Sequence, residues 1–456
     1  MSFKAQEAKA IGRLTLPILA TQLAQVGMGT IDTLMSGYVS TQDLAAVAIG
    51  SAVWTPIWLF LAGILVALSP AVARLSGEHQ TEARERLLGS GLSLGLISGC
   101  VFGAITAAIA LAIPTFVDDQ HTAYVASRYL LAIALAMPVS GIFLALRFYA
   151  EALGDATHVT RIMIAGLILN VPVNAVLIYG WFGLPELGGI GCGIGSGLVV
   201  LFMSLALYLN TRKHRGGPDF RLLRSLRRSR VGEINALAKV GLPIGVAIFF
   251  EVSLFTVIAL FLTDLGPVVV AGHQVALNVS SVTFMLPLSL GMALTVRVGY
   301  HLGRGDNRAA ATTSWLGVGL NLALALFNAT LILSGAGFIA GLYSPDPEVV
   351  AIGTALLMYA ALFQISDAIQ IATAGSLRGY EDTFAVMVIT FFAYWVIGFG
   401  SGWYLAYEHS SPMGAAGFWI GLIAGLSFAA AALLWRLRII SRLHIHREKE
   451  TPCAQS

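Results

Sequence analysis

The sequence predicts an all-α integral membrane protein: twelve transmembrane helices in two pseudo-symmetric six-helix lobes around a central cavity. Three observations carry this. Hydrophobic residues make up 57% of the 456 positions and charged ones 11%, with a mean hydropathy of +0.80, which is too little polar material to clothe a soluble globule. The apolar residues fall in continuous runs long enough to span as helices, not in the alternation of a membrane β-barrel. One constant offset relates the two halves of the chain.

The runs lie at approximately 14–38, 44–72, 88–113, 123–147, 158–180, 190–210, 236–262, 268–296, 310–333, 349–374, 384–406 and 414–436. Each is about as long as the ~20 residues that cross a hydrocarbon core. The start, "MSFKAQEAKAIGRLTLP", has no small-residue cleavage site behind a short apolar core, so no removed signal peptide is expected. With both termini cytoplasmic, every Lys and Arg except Arg128 falls in a cytoplasmic segment or at the helix end beside one, as the positive-inside rule requires. The opposite loops hold acids: Asp43, Asp118, Asp119, Glu186, Asp264, Asp346, Glu348 and Glu408. The one long connection, "TRKHRGGPDFRLLRSLRRSRVG", is strongly basic. Such a segment can hold anionic lipid, but its ordinary role is a solvated loop that sets orientation. The expected division is therefore 1–210 as an N-terminal six-helix lobe, 211–235 as a basic cytoplasmic linker, 236–440 as a C-terminal six-helix lobe and 441–456 as a cytoplasmic tail.

A shift of 226 positions lays Leu16-Pro17 on Leu242-Pro243, "ALSPAVARLSG" (67–77) on "ALTVRVGYHLG" (293–303), and Thr157 on Thr383. Six helices per copy make the copies parallel, related by an axis along the membrane normal, with a shared cavity expected between them. Repeats of this kind suit a transporter but occur in membrane enzymes and flippases as well.

Three carboxylates sit well inside the apolar runs: Asp32, Glu251 and Asp367. A charge at that depth costs a few kcal/mol, so each must face the interior and be paired, ion-bound or protonated. No Lys or Arg other than Arg128, near one end of its run, is expected within reach, which favours exchange of a proton or capture of Na⁺ by oxygen ligands over a structural ion pair. Polar residues recur at helical spacing around the acids. Thr21, Gln25, Met28 and Asp32 form one stripe, and Tyr359, Phe363, Asp367 and Gln370 another with Gln364 beside it. "LNVPVNAVL" sets Asn170 and Asn174 one turn apart around Pro172, and Asn278 adds a further polar group. Any single Asn or Gln is more often interhelical glue; their association with acids is the signal. Under the shift Glu251 falls on Gln25, Asp32 on Ile258 and Asp367 on Gly141. The lobes should thus hold different sites: one acid with Asn170 and Asn174 in the first, an acidic pair in the second that shares one proton or cation.

Leu16-Pro17, "IDTLMSG" with Asp32, "NVPVN", "LP" followed by Glu251, "GHQVALNV", Asp367 and "LRGYEDT" together resemble the multidrug and toxic compound extrusion (MATE) family, specifically its bacterial NorM branch. The resemblance spans nearly the whole chain and shows no departure at the three acids. It implies a multi-pass protein of the bacterial inner membrane, a monomer and not an enzyme. It further implies export of cationic lipophilic drugs and dyes, and hence antibiotic resistance, by antiport against inward Na⁺ or H⁺ through alternating access, in membrane lipid and with no cofactor or nucleic acid. The coupling acids are then Glu251, Asp367 and Asp32. A cavity for a lipophilic cation calls for aromatic and flexible apolar walls, for which Phe249, Phe250, Phe255, Met285, Tyr359, Phe363 and Met28 are candidates; plain packing is the ordinary role of any one of them. A negative-inside potential adds about 2.3 kcal/mol per charge per 100 mV to cation entry.

Other classes compete. A major-facilitator transporter also has two parallel halves, but "RLSGEHQTEARER" matches its loop signature only superficially. Lipid-linked sugar flippases share the superfamily and tend to carry basic cavities, whereas this interior is acidic. Against a membrane enzyme, the histidines lie mainly in loops and the tail, Cys100, Cys192 and Cys453 form no ligand motif, and there is no phosphate-cradling Gly-Lys-Ser/Thr loop.

Overall fold

A computed structural model describes residues 2–214, 226–409 and 411–450. The middle of the predicted basic linker, the end of the predicted tail and Cys453 lie outside the described residues. Among the described residues twelve helices are long and apolar enough to cross a membrane: α1 Phe3–Gly37, α2 Thr41–Gly77, α3 Thr81–Thr115, α4 Gln120–Ala152, α5 Ala156–Ile178, α6 Gly189–Arg212, α7 Val231–Leu265, α8 Pro267–Gly303, α9 Asn307–Tyr343, α10 Pro347–Gly379, α11 Thr383–Glu408 and α12 Ala415–His446.

Most exceed their apolar runs. α1 starts at Phe3, not near residue 14, and the last helix continues to Glu450, so helix extends into the segment expected as a tail. Hydropathy marks only the hydrocarbon-spanning part; the backbone bonds of a helix continue into the polar zone wherever side chains there are compatible. Internal prolines fall at Pro17, Pro56, Pro70, Pro138, Pro172, Pro243 and Pro287, with Pro114 in the last turn of α3. α4 starts where the Asp119 carboxylate accepts from the backbone N of Thr122 at 2.8 Å and its hydroxyl at 2.6 Å. The hydroxyl bond first, and the backbone bond second, hold that carboxyl below its usual range.

The chain forms two compact units, Pro17–Gly245 and Met1–Leu16 with Val246–Ser456. The divisions fall inside α1 and α7, next to Pro17 and close to Pro243.

In the N-terminal unit α3 and α4 pack backbone to backbone. A Cβ on Gly95 would stand 2.4 Å from the carbonyl of Gly141, one on Gly99 2.6 Å from that of Met137, and one on Gly103 2.7 Å from that of Ala134. This is a small-residue seam of the sort that holds helices together where lipid offers no hydrophobic driving force. Tyr129 centres the neighbouring core, with Trp54 donating to its hydroxyl at 3.0 Å.

The C-terminal unit is built around Trp419, Phe418 and Tyr394, all essentially buried. α11 is π-helical over Phe392–Phe399 and Tyr404–Glu408. The widened turns meet glycines of α12: a Cβ on Gly425 would lie 2.3 Å from the carbonyl of Ala393, and one on Gly421 2.4 Å from that of Gly398. The close approach of the two helices sets Tyr394 inward. The first residues of α1 are tied to this unit by Glu7, which accepts from the Arg297 guanidinium (Nε at 3.2 Å), from the Thr313 hydroxyl at 3.3 Å, and faces His301 Nε2 at 3.1 Å.

Candidate cation-coupling sites

In the N-terminal unit α1 carries Asp32 at 8% exposure, against α5 and α6. Asn170 and Asn174, one turn apart on α5, both donate their amide NH₂ to Asp32 Oδ1, at 3.0 and 2.7 Å. Ser196 on α6 donates its hydroxyl to Oδ2 at 2.9 Å, and the Cys192 thiol, one turn earlier, faces the same carboxylate. An ionised carboxylate is acceptor-only, so this set of neutral donors suits the charged form without an arginine or lysine. One atom of the cluster is left over: Asn174 Oδ1 is buried with no hydrogen-bond partner. An amide oxygen of this kind can accept from a donor or ligate a hard cation. Gly195 allows it to stand there, since a Cβ on that residue would lie 2.2 Å from Asn174 Oδ1. Gly195→Ala is therefore expected to push the Asn174 amide off Asp32 and to depress transport about as strongly as replacing Asp32; wild-type transport in this variant would remove Asn174 from the site.

The rest of the predicted α1 stripe serves other partners. Thr21 pairs with Thr160 at 3.0 Å. Gln25 Oε1 accepts from Arg147 at 3.1 Å, and Gln22 Oε1 accepts from the same guanidinium at 2.6 Å. Arg147 is 3% exposed and also donates to Glu151 at 2.9 Å. The expectation that no Lys or Arg other than Arg128 lies within reach of the three acids is corrected by Arg378, which stands within electrostatic reach of Glu251. Arg147 and Arg378, at the ends of the apolar runs of α4 and α10, are both buried because those helices continue past the runs and other side chains close over them. Met28 is partly buried.

In the C-terminal unit α10 places Asp367 at 2% exposure, with Gln364 and Gln370 three residues to either side and equally buried. Glu251 on α7 is partly buried and lies within electrostatic reach of Asp367, of Arg378 and of the Tyr394 hydroxyl. The two acids of the expected pair thus share one neighbourhood. The sequence reading missed the phenol and the guanidinium beside them. Gln364 donates to the Thr283 hydroxyl and to the Ser280 carbonyl at 3.4 Å. The amide oxygens of Gln364 and Gln370 are buried without a partner. Asp367 therefore sits on a helix face with two buried acceptors left open, whereas Asp32 is surrounded by donors.

The remaining predicted residues are spread. Phe363 lies in the core, edge to face with Phe255 (6.2 Å between centroids) and Trp419 (5.7 Å). Phe250 packs on Phe391 at 5.0 Å, and its carbonyl accepts from the Trp395 indole at 3.2 Å. Phe249 and Asn278 are exposed; Met285 and Tyr359 are partly buried. His273, inside "GHQVALNV", is a buried histidine within an apolar run. Its Nδ1 accepts from the Trp419 indole at 3.2 Å, and its Nε2 has no partner. A lone histidine at membrane depth was the one signal for it.

Among the described residues, twelve membrane-length helices with carboxylates buried within each unit fit a polytopic transporter, the class in which intramembrane acids mark ion and substrate paths. A family model described as MatE matches residues 17–176 and again 243–404, and the chain belongs to the MATE family of transporters. The second match starts 226 positions after the first (243 − 17), the same shift that the internal repeat shows. Solved structures share the fold. A eukaryotic MATE transporter, AtDTX14, is 19% identical with a TM-score of 0.84, over 98% of this chain and 100% of that one. A multidrug resistance MATE family transporter of the MOP superfamily in an outward-facing conformation is 20% identical with a TM-score of 0.86, over 98% and 97%. A MOP superfamily transporter from Pyrococcus furiosus is 20% identical with a TM-score of 0.85, over 98% and 97%.

Proposed function

We propose that this protein is a secondary active multidrug efflux transporter of the NorM type. It exports cationic lipophilic compounds across a bacterial inner membrane, with both termini cytoplasmic, in exchange for inward Na⁺ or H⁺. The observation that carries this reading is the acceptor surplus around Asp367: a buried carboxylate, a second carboxylate within electrostatic reach and two buried amide oxygens that lack donors. Buried acceptors in excess are costly until a proton or a hard cation supplies the missing positive charge. A cation arriving down its gradient satisfies them and favours the access state that binds it best. A cationic drug competes for the same charge from the other side. Asp32 forms a second station in the N-terminal unit, with Asn174 Oδ1 as the spare ligand.

The test is ethidium efflux from reconstituted liposomes with imposed Na⁺ or H⁺ gradients. Gradient-driven efflux supports the reading, and its absence with both ions and several cationic dyes refutes it. In the same assay Asp32→Asn, which keeps size but removes the charge that Asn170, Asn174 and Ser196 hold, is expected to cut transport severalfold. Unchanged efflux would give Asp32 a purely structural role.

A further inference from the structure

In the C-terminal unit a groove of about 1020 Å³ is lined by the start of α1, the first turns of α9 and the last turns of α12. Four cationic residues line it, Lys4, Arg308, Arg438 and Arg442, and all four are exposed. Among the described residues none of them is in an ion pair. Three acids near this end have other partners: Asp306 caps α9 by accepting from the backbone N of Ala309 at 2.8 Å, Glu7 is held by Arg297 and His301, and Asp382 by Arg436 at 2.6 Å. Among the described residues, then, none of the four cations has an acidic partner.

Along α9 the groove changes character. Arg308, Thr312, Trp315 and Gly319 follow at spacings of four, three and four, one face of the helix, so a guanidinium is succeeded by a hydroxyl, an indole and then an open apolar wall. Trp315 is 42% exposed. At Gly319 a Cβ would meet nothing within 4 Å. Exposed Trp at the depth where cations give way to apolar residues marks a membrane–water interface.

We propose that this groove is a binding site for an anionic phospholipid. Guanidinium groups from two helices receive the phosphodiester, since arginine presents planar donors that match phosphate oxygens. One acyl chain lies along Trp315 and the open face of Gly319. A basic pocket between transmembrane helices, with an apolar slot leading from it, selects a lipid of net negative charge over a zwitterionic one. The site shares no residue with the buried acids and stands independently of the proposed transport activity.

The experiment is native mass spectrometry of the full-length protein in detergent, titrated with phosphatidylglycerol, with phosphatidylcholine or with inorganic phosphate, alongside the thermal midpoint. Wild-type protein is expected to retain phosphatidylglycerol and melt higher with it, and to do neither with phosphatidylcholine. Arg438→Gln with Arg442→Gln should weaken phosphatidylglycerol binding by roughly 30-fold, from about 1 kcal/mol per basic residue at 1.4 kcal/mol per tenfold. Gly319→Phe keeps every charge and fills the slot, so it should also weaken lipid binding. Equal retention of the two lipids overturns the proposal, as does undiminished phosphatidylglycerol binding by the double variant. Stabilisation by inorganic phosphate equal to that by the lipid, with Gly319→Phe behaving as wild type, assigns the groove to free phosphate and overturns it too.

Discussion

Glu251→Gln and Asp367→Asn are each expected to reduce gradient-driven drug efflux to the background leak while folded protein remains in the membrane. Both substitutions keep side-chain volume and remove only the charge, so packing around α7 and α10 has no reason to fail. Among the described residues Asp367 makes no hydrogen bond that the substitution would remove. The amide oxygens of Gln364 and Gln370 lack partners as well, and an Asn at 367 brings an NH₂ group into that acceptor-rich face. Its stability should therefore hold or rise, by up to about 1–3 kcal/mol of relieved desolvation, read as an unchanged or higher thermal midpoint. Loss of transport together with retained or increased stability is the signature of a group kept for coupling. Full efflux in both variants would sink the assignment, and a parallel loss of stability would make the acids structural.

Arg147→Ala should show the opposite pattern. Its guanidinium serves Glu151 at 2.9 Å, Gln25 at 3.1 Å and Gln22 at 2.6 Å from a position 3% exposed. Truncation leaves the Glu151 carboxylate, itself 2% exposed, as an unpaired buried charge. Breaking a buried pair in this way costs about 3–5 kcal/mol, visible as a lower melting midpoint and less protein in the membrane. Arg147→Lys should recover only part of the loss, because one ammonium does not reproduce a planar fork that spans three acceptors. A second change, Glu151→Gln, should rescue part of the stability of Arg147→Ala by removing the stranded charge. An Arg147→Ala protein that melts with wild type would mean that Glu151 finds another partner.

Much of the Asp32 site is legible in the sequence. Asn170 and Asn174 fall one turn apart on a helix that otherwise has few polar groups, and an acid at membrane depth needs such partners. Ser196 and Cys192 are not legible, because small residues on the glycine-rich α6 serve helix packing so often that nothing singles two of them out. Arg147 and Arg378 escaped for a related reason. Each sits at or past the end of an apolar run, where an arginine ordinarily reaches water, and only the extended helices and their neighbours reveal burial. The aromatic candidates divide in the same way. Helical spacing put Phe363 on the face of Asp367, whereas its edge-to-face contacts with Phe255 and Trp419 place it in the core.

The sequence by itself determined the number of spans, the duplication and the three acids, because these follow from the thickness of a bilayer, from linear repetition and from the cost of a charge in hydrocarbon. All three are properties of one segment at a time. Only the tertiary structure decided which polar atoms meet: the donors that surround Asp32, the acceptors left open beside Asp367, the guanidinium on Gln25, and the π-turns that carry Tyr394 inward. Those depend on helix rotation and on contacts between residues as far apart as Asp32 and Ser196, and a rotation of one residue, about 100°, would turn any of these groups away.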